Sequence, residues 1–108
     1  ALMASGLNGQ QFTFNGYLPI ESNARFSKII ELEKLSISRN QTQIFIEAPY
    51  RNQKLLEQLV KTCSDSTNLC IASHLTFSNE MVATRTVKEW NRSLPDINKI
   101  PTIFLLHG

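Results

Sequence analysis

Two stretches of this sequence gather side chains able to do chemistry. The first, Glu47-Ala-Pro-Tyr-Arg51, follows the apolar run TQIFI. The Arg51 guanidinium could hold a phosphate or carboxylate through two parallel hydrogen bonds, and the Glu47 carboxylate could orient it or take a proton. The same five residues also admit a structural reading, in which Glu47 and Arg51 pair with each other or satisfy loop N–H groups and fix a strand-to-helix turn. Residue types alone leave both readings open. The second stretch runs from Ala72 to Glu80, ASHLTFSNE. His74 has a side chain that titrates near neutral pH and could hydrogen-bond a ligand, but no acidic orienter accompanies it in sequence. Thr76 and Asn79 could line a pocket or close the loop's own backbone by short-range turns.

The elements that must position these residues follow from periodicity. Phe12, Phe14 and Tyr17 form a short aromatic strand interrupted by Asn15-Gly16, its second half expected to leave the sheet as a loop. From Ser22, expected as the N-cap, ARFSKIIELEKL sets Phe26, Ile29 and Ile30 on one helical face, with Leu32 or Leu35 at its border. Thr42 to Glu47 is a nearly continuous β-branched and aromatic run, the pattern of a central strand covered on both faces. Pro49 ends it by keeping Ala48 out of helical geometry. A helix then runs from about Gln53 to Cys63, with Leu55, Leu56, Leu59, Val60 and Cys63 inward and Lys54, Glu57 and Lys61 toward water. Asn68 to Ser73 and Glu80 to Thr84 read as strands. Thr86-Val-Lys-Glu89 has the spacing of a capping box opening a short helix that carries Trp90, and Pro101 to Leu106 is the last strand. Both glycosylation-type sequons, at Asn40 and Asn91, are expected to be inert. The order predicts an α/β fold, a mixed five-stranded sheet flanked by helices.

Composition narrows the function classes. A chain of 108 residues makes one modest domain, and 42% apolar against 19% charged residues predicts an ordered core. The net charge of +2 is scattered; it would tolerate an anionic partner without demanding one, and no basic patch with interleaved aromatics appears. Phe26 and Trp90 read as packing residues. Cys63 and Cys70 lack metal-ligand spacing and are expected as buried free thiols, so no metal is predicted. No apolar run approaches the roughly 20 residues that cross a bilayer, and the expectation is a soluble cytoplasmic protein without membrane contact. Glycine-rich phosphate loops and a nucleophile elbow are absent from the sequence. The opening ALMASGLNG reads as the last turns of a helix arriving from an upstream domain.

ALMASGL, FNGYLP, TQIFIEAPYRN, SHLT followed by Glu80, and IPTIFLLHG, in this order and spacing, resemble the C-terminal domain of the tetrapyrrole methylase superfamily. Within it the closest likeness is to the ribosomal RNA small subunit cytidine 2'-O-methyltransferase branch. The resemblance implies a linker-helix end at residues 1–9 and a C-terminal α/β domain at residues 10–108, the lobe that closes a cleft over S-adenosylmethionine. It implies Glu47, Arg51 and His74 as catalytic candidates, and Ala48, Pro49, Tyr50, Thr76, Pro101, Thr102 and Ile103 as cofactor-facing candidates. It implies a homodimer, with ribosomal RNA as substrate, or a tetrapyrrole in the other branch, and a fragment inactive alone. The competing class is a non-enzymatic α/β binding module. One departure stands out: His74-Leu-Thr76 is followed by Phe-Ser-Asn and a single Glu80, where the ribosomal enzymes commonly carry an acidic residue before leucine and threonine, then lysine and paired glutamates.

Overall fold

The computed structural model describes residues 11–73 and 81–108. Along the chain lie β1 (Phe12–Tyr17), α1 (Ser22–Ser38), β2 (Thr42–Ile46) and a 3-10 turn (Pro49–Arg51) that runs into α2 (Asn52–Thr62). They are followed by β3 (Asn68–Ser73), β4 (Met81–Thr86), α3 (Val87–Arg92) and β5 (Thr102–His107). The strands form one mixed sheet in the order β1-β2-β5-β3-β4. Only β1 and β2 are parallel, joined by α1 as the long crossover that such a pair requires. The other neighbours are antiparallel. The mixed five-stranded sheet with flanking helices is therefore as the sequence predicts.

Three local expectations change. Glu21, not Ser22, caps α1: its Oε2 accepts from the Ala24 N–H at 2.6 Å. The face α1 buries is Arg25, Ile29, Leu32 and Ser36, a clean 4-3-4 spacing, so Phe26 falls outside it and is 48% exposed. The apolar pattern favours Phe26, but the helix is phased by the charged Arg25. The middle strand is β5, with β2 beside it inside the sheet, and the two faces of β2 are unequally covered: Phe45 is fully buried while Ile44 and Ile46 are partly buried.

The core sits between the helices and one face of the sheet. Phe45 and Phe104 stack with centroids 5.7 Å apart and planes at 10°, joined by Ile29 and Leu32 of α1, Leu55, Leu56 and Leu59 of α2, and Ile71 of β3. Full burial of each such side chain contributes about 2 kcal/mol. Trp90 closes the far end, with its Nε1–H donating to the Leu69 carbonyl at 2.7 Å. Cys63 and Cys70 are free and buried as expected; burial, helped for Cys63 by nearby Glu33, pushes that thiol up to about 12.

On the other face, Phe12 and Phe14 stand in register with Thr42 and Ile44. A bulge at Asn15-Gly16 then restores Tyr17 opposite Ile46, so the strand continues where the sequence suggests a loop. Gly16 makes the bulge at φ +67, a conformation costly for any side chain. Phe12, Phe14 and Tyr17 thus line one face, and are 51%, 61% and 64% exposed.

Candidate functional site

Register brings the separate candidate segments to one edge of the sheet. Ile46, the last residue of β2, pairs with Ile103 of β5, and Ile103 pairs with Ala72 of β3. Ser73 lies opposite Thr102. The end of β2, the start of β5 and the end of β3 therefore meet at the edge where open α/β sheets hold ligands. Backbone and side-chain bonds tie the loops together there. Lys99 N donates to the Pro49 carbonyl at 2.9 Å, and Asn52 Nδ2 donates to the Ile100 carbonyl at 2.6 Å. Gln53 holds the incoming loop through the Pro95 carbonyl and the Ile97 N–H.

Glu47 sits just past β2 and points to the helix side, where its side chain is fully buried. Its Oε1 accepts from the Ala48 N–H at 2.7 Å and lies 3.1 Å from Arg51 Nε. Its Oε2 lies 3.5 Å from Arg25 Nη1. Oε2 and Arg51 Nε lack an aligned hydrogen bond, so these two contacts act as ion pairs at close range. One carboxylate thus stands between two guanidiniums, a net positive cluster. Arg25 is fixed in turn by Gln58, whose Oε1 accepts from Nε at 2.6 Å and whose Nε2 donates to the Ser22 carbonyl at 3.1 Å.

Arg51 faces both ways. Its side chain is 22% exposed, its Cζ lies 4.6 Å from the centre of the Tyr50 ring, and Nη1 donates to the Tyr50 hydroxyl. Partial burial pulls its pKa down, but Glu47 and Tyr50 outweigh that and hold it above the ordinary arginine value. Among the described residues its Nη2 has no partner. The guanidinium is therefore held along one side and left available on the other, which is how an arginine presents itself to an anion or carbonyl.

The remaining candidates divide. Pro49 and Tyr50 are exposed, Ala48 and Ile103 half-buried, and Pro101 exposed on the neighbouring loop. Thr102 is buried, with its hydroxyl donating to the Ile100 carbonyl at 2.8 Å. His74 and Thr76 lie outside the described residues, as do residues 1–9. Arg25 and Gln58 escape the sequence reading. The available signal is an arginine in phase with Ile29 and Leu32, since a charge on a core face is rare without a buried partner. Among the described residues there is no cluster of metal-ligating side chains, and no helix long and apolar enough to cross a membrane.

This architecture is the tetrapyrrole methylase-like fold. The chain superposes on the methyltransferase CobJ with a TM-score of 0.61 at 15% identity, covering 100% of this chain and 46% of that one. It superposes on cobalt precorrin-4 methyltransferase CbiF with a TM-score of 0.54 at 13% identity, covering 91% and 40%. In sequence it is related to bacterial ribosomal RNA small subunit methyltransferase I. The protein of that name from Vibrio cholerae is 32% identical over 111 aligned residues, covering 100% of this chain and 37% of the relative; that from Haemophilus influenzae is 28% identical, covering 100% and 38%. The chain thus spans little more than a third of the relatives it matches. No family model matches it.

Proposed function

We propose that residues 10–108 form the C-terminal lobe of an S-adenosylmethionine-dependent methyltransferase that acts on small-subunit ribosomal RNA, at a cytidine ribose 2'-hydroxyl. The observation that carries this reading is 32% identity along the whole chain to the Vibrio cholerae enzyme. The tetrapyrrole alternative rests on structures at 13–15% identity, a likeness of fold alone.

The edge suits the cofactor in kind. Pro49, Tyr50 and Pro101 give it exposed apolar and aromatic surface beside half-buried Ala48 and Ile103, and the Glu47 carboxylate is enclosed between cations. Those five residues would hold it; Thr102, with its hydroxyl already engaged, would contribute backbone only. S-adenosylmethionine supplies an electrophilic methyl carbon, which requires in-line approach by the acceptor oxygen. Arg51 orients the acceptor through Nη2, and Glu47 holds the guanidinium in place instead of taking a proton. The hydroxyl proton then falls to His74 as the candidate base. A lobe alone, with about half of a cleft, binds the cofactor weakly and does not turn over. The proposed protein is a cytoplasmic homodimer; the aromatic row Phe12, Phe14 and Tyr17 supports the assembly, since three neighbouring exposed rings make a surface that favours cover.

The test is methyl transfer by the full-length protein from labelled S-adenosylmethionine to small-subunit ribosomal RNA and, separately, to a tetrapyrrole. Label on the RNA ribose is the expected result. Label on the tetrapyrrole alone would move the protein to the other branch, and none on either would favour a binding module.

A further inference from the structure

Phe26 is an exposed aromatic on a helix whose core face lies elsewhere, and it stands in a groove of about 420 Å³ between α1 and α2. Ser22, Arg25 and Phe26 form one wall; Lys54, Glu57, Gln58, Lys61 and Thr62 form the other. We propose that this groove holds the single-stranded RNA flanking the acceptor nucleotide, with Lys54 and Lys61 on its phosphates and Phe26 against a base. The inference rests on the RNA-methyltransferase reading and deepens it.

Position supports it first. Because β1 and β2 are parallel, α1 and α2 both start at the sheet edge that carries Arg51, so the groove opens where the candidate site lies. Arg25 joins the two: it lines the groove and pairs with Glu47, which pairs with Arg51. Charge supports it second. From Arg51 through Arg25 to Lys54 and Lys61, four cations face two carboxylates, Glu47 and Glu57, and Glu47 is buried between the arginines. Lys54 and Lys61 are exposed and form no ion pair among the described residues, unlike Lys28, which is paired with Glu31 at 3.1 Å. They stand seven residues apart on one helix, roughly 10 Å along its axis, so two separate phosphates can be met. Chemistry supports it third. Single strands are held by cations along the backbone and aromatic faces against bases, and the groove supplies both in one place.

The test uses the full-length enzyme and a fluorescein-labelled, mixed-sequence single-stranded RNA of about 12 nucleotides, titrated over a range of salt. Lys54→Glu with Lys61→Glu lowers affinity, and the slope of log affinity against log salt falls by about 0.7 for each phosphate left without its lysine. Phe26→Ala weakens binding about tenfold and leaves that slope unchanged, because stacking releases no counterions. Melting temperature and S-adenosylmethionine affinity stay at wild-type values, since all three side chains are exposed. If the variants bind as wild type does while the enzyme still methylates ribosomal RNA, the groove assignment is overturned and the substrate reading stands. A wild type that neither binds nor methylates RNA removes both. Unchanged RNA affinity with an altered oligomeric mass assigns the groove to a protein interface and also overturns the proposal.

Discussion

Of the turns from strand to helix, the one after β4 and the one after β2 each join the two elements within a few residues, and they are built differently. At the β4–α3 turn everything is local and exposed. Thr86 Oγ1 accepts from Glu89 N at 3.3 Å, Glu89 Oε1 accepts from Thr86 N at 2.9 Å, and the box is complete within four residues. At the β2–α2 turn no side chain caps α2. Glu47 instead engages two arginines, one of them on another helix, and Arg51 is left with one nitrogen facing out. A turn needs only the first arrangement. The second places a buried carboxylate and an oriented cation at a ligand-bearing edge, more charge than the geometry of turning requires, and that excess is the physical case for a site.

Removing each carboxylate system sharpens the contrast. Glu47→Ala leaves the buried Arg25 without its counter-charge, so it costs about 3 kcal/mol, read from denaturant unfolding. A loss under about 1 kcal/mol would mean that the arginines relax to solvent and the cluster is loosely held. The β4–α3 turn is the smaller effect: Thr86→Ala costs about 1 kcal/mol. It also has a pH signature. The Thr86 backbone N–H, and then its hydroxyl, hold the Glu89 carboxyl below the ordinary glutamate value. A depressed folded pKa stabilises above the unfolded value, about 4.3, and that contribution is lost as pH falls through the folded value. The advantage of wild type over Glu89→Ala should therefore shrink on acidification below about pH 4. An advantage independent of pH would mean that the carboxylate charge takes no part in the box.

Legibility in the sequence follows the range of the interactions. The capping box, the inward flank of α2 and the Pro49 strand end are set within a few residues, and each is readable from spacing. The place of β5 between β2 and β3 is not, because it is decided by pairing between residues that lie 29 to 63 positions apart. Arg25 is hidden for a related reason: its partner Glu47 lies beyond the next strand, so the helix looks phased on Phe26. The same misphasing conceals the groove, where Phe26 meets Lys54 and Lys61 only once α1 and α2 are side by side. At the candidate site, the residue types in Glu47–Arg51 are visible, while the enclosure of Glu47 and the outward nitrogen of Arg51 depend on tertiary packing.

Arg51 is proposed to be oriented for a ligand and not for the turn. This is tested by measuring methyl transfer and thermal unfolding together on Arg51→Ala in the full-length protein. Glu47 keeps Arg25 as its partner in that variant, so the unfolding midpoint should stay close to wild type while the transfer rate falls about 100-fold. A lowered midpoint, with the rate reduced only in proportion to the unfolded fraction, would contradict it and return Arg51 to the role of a structural tie.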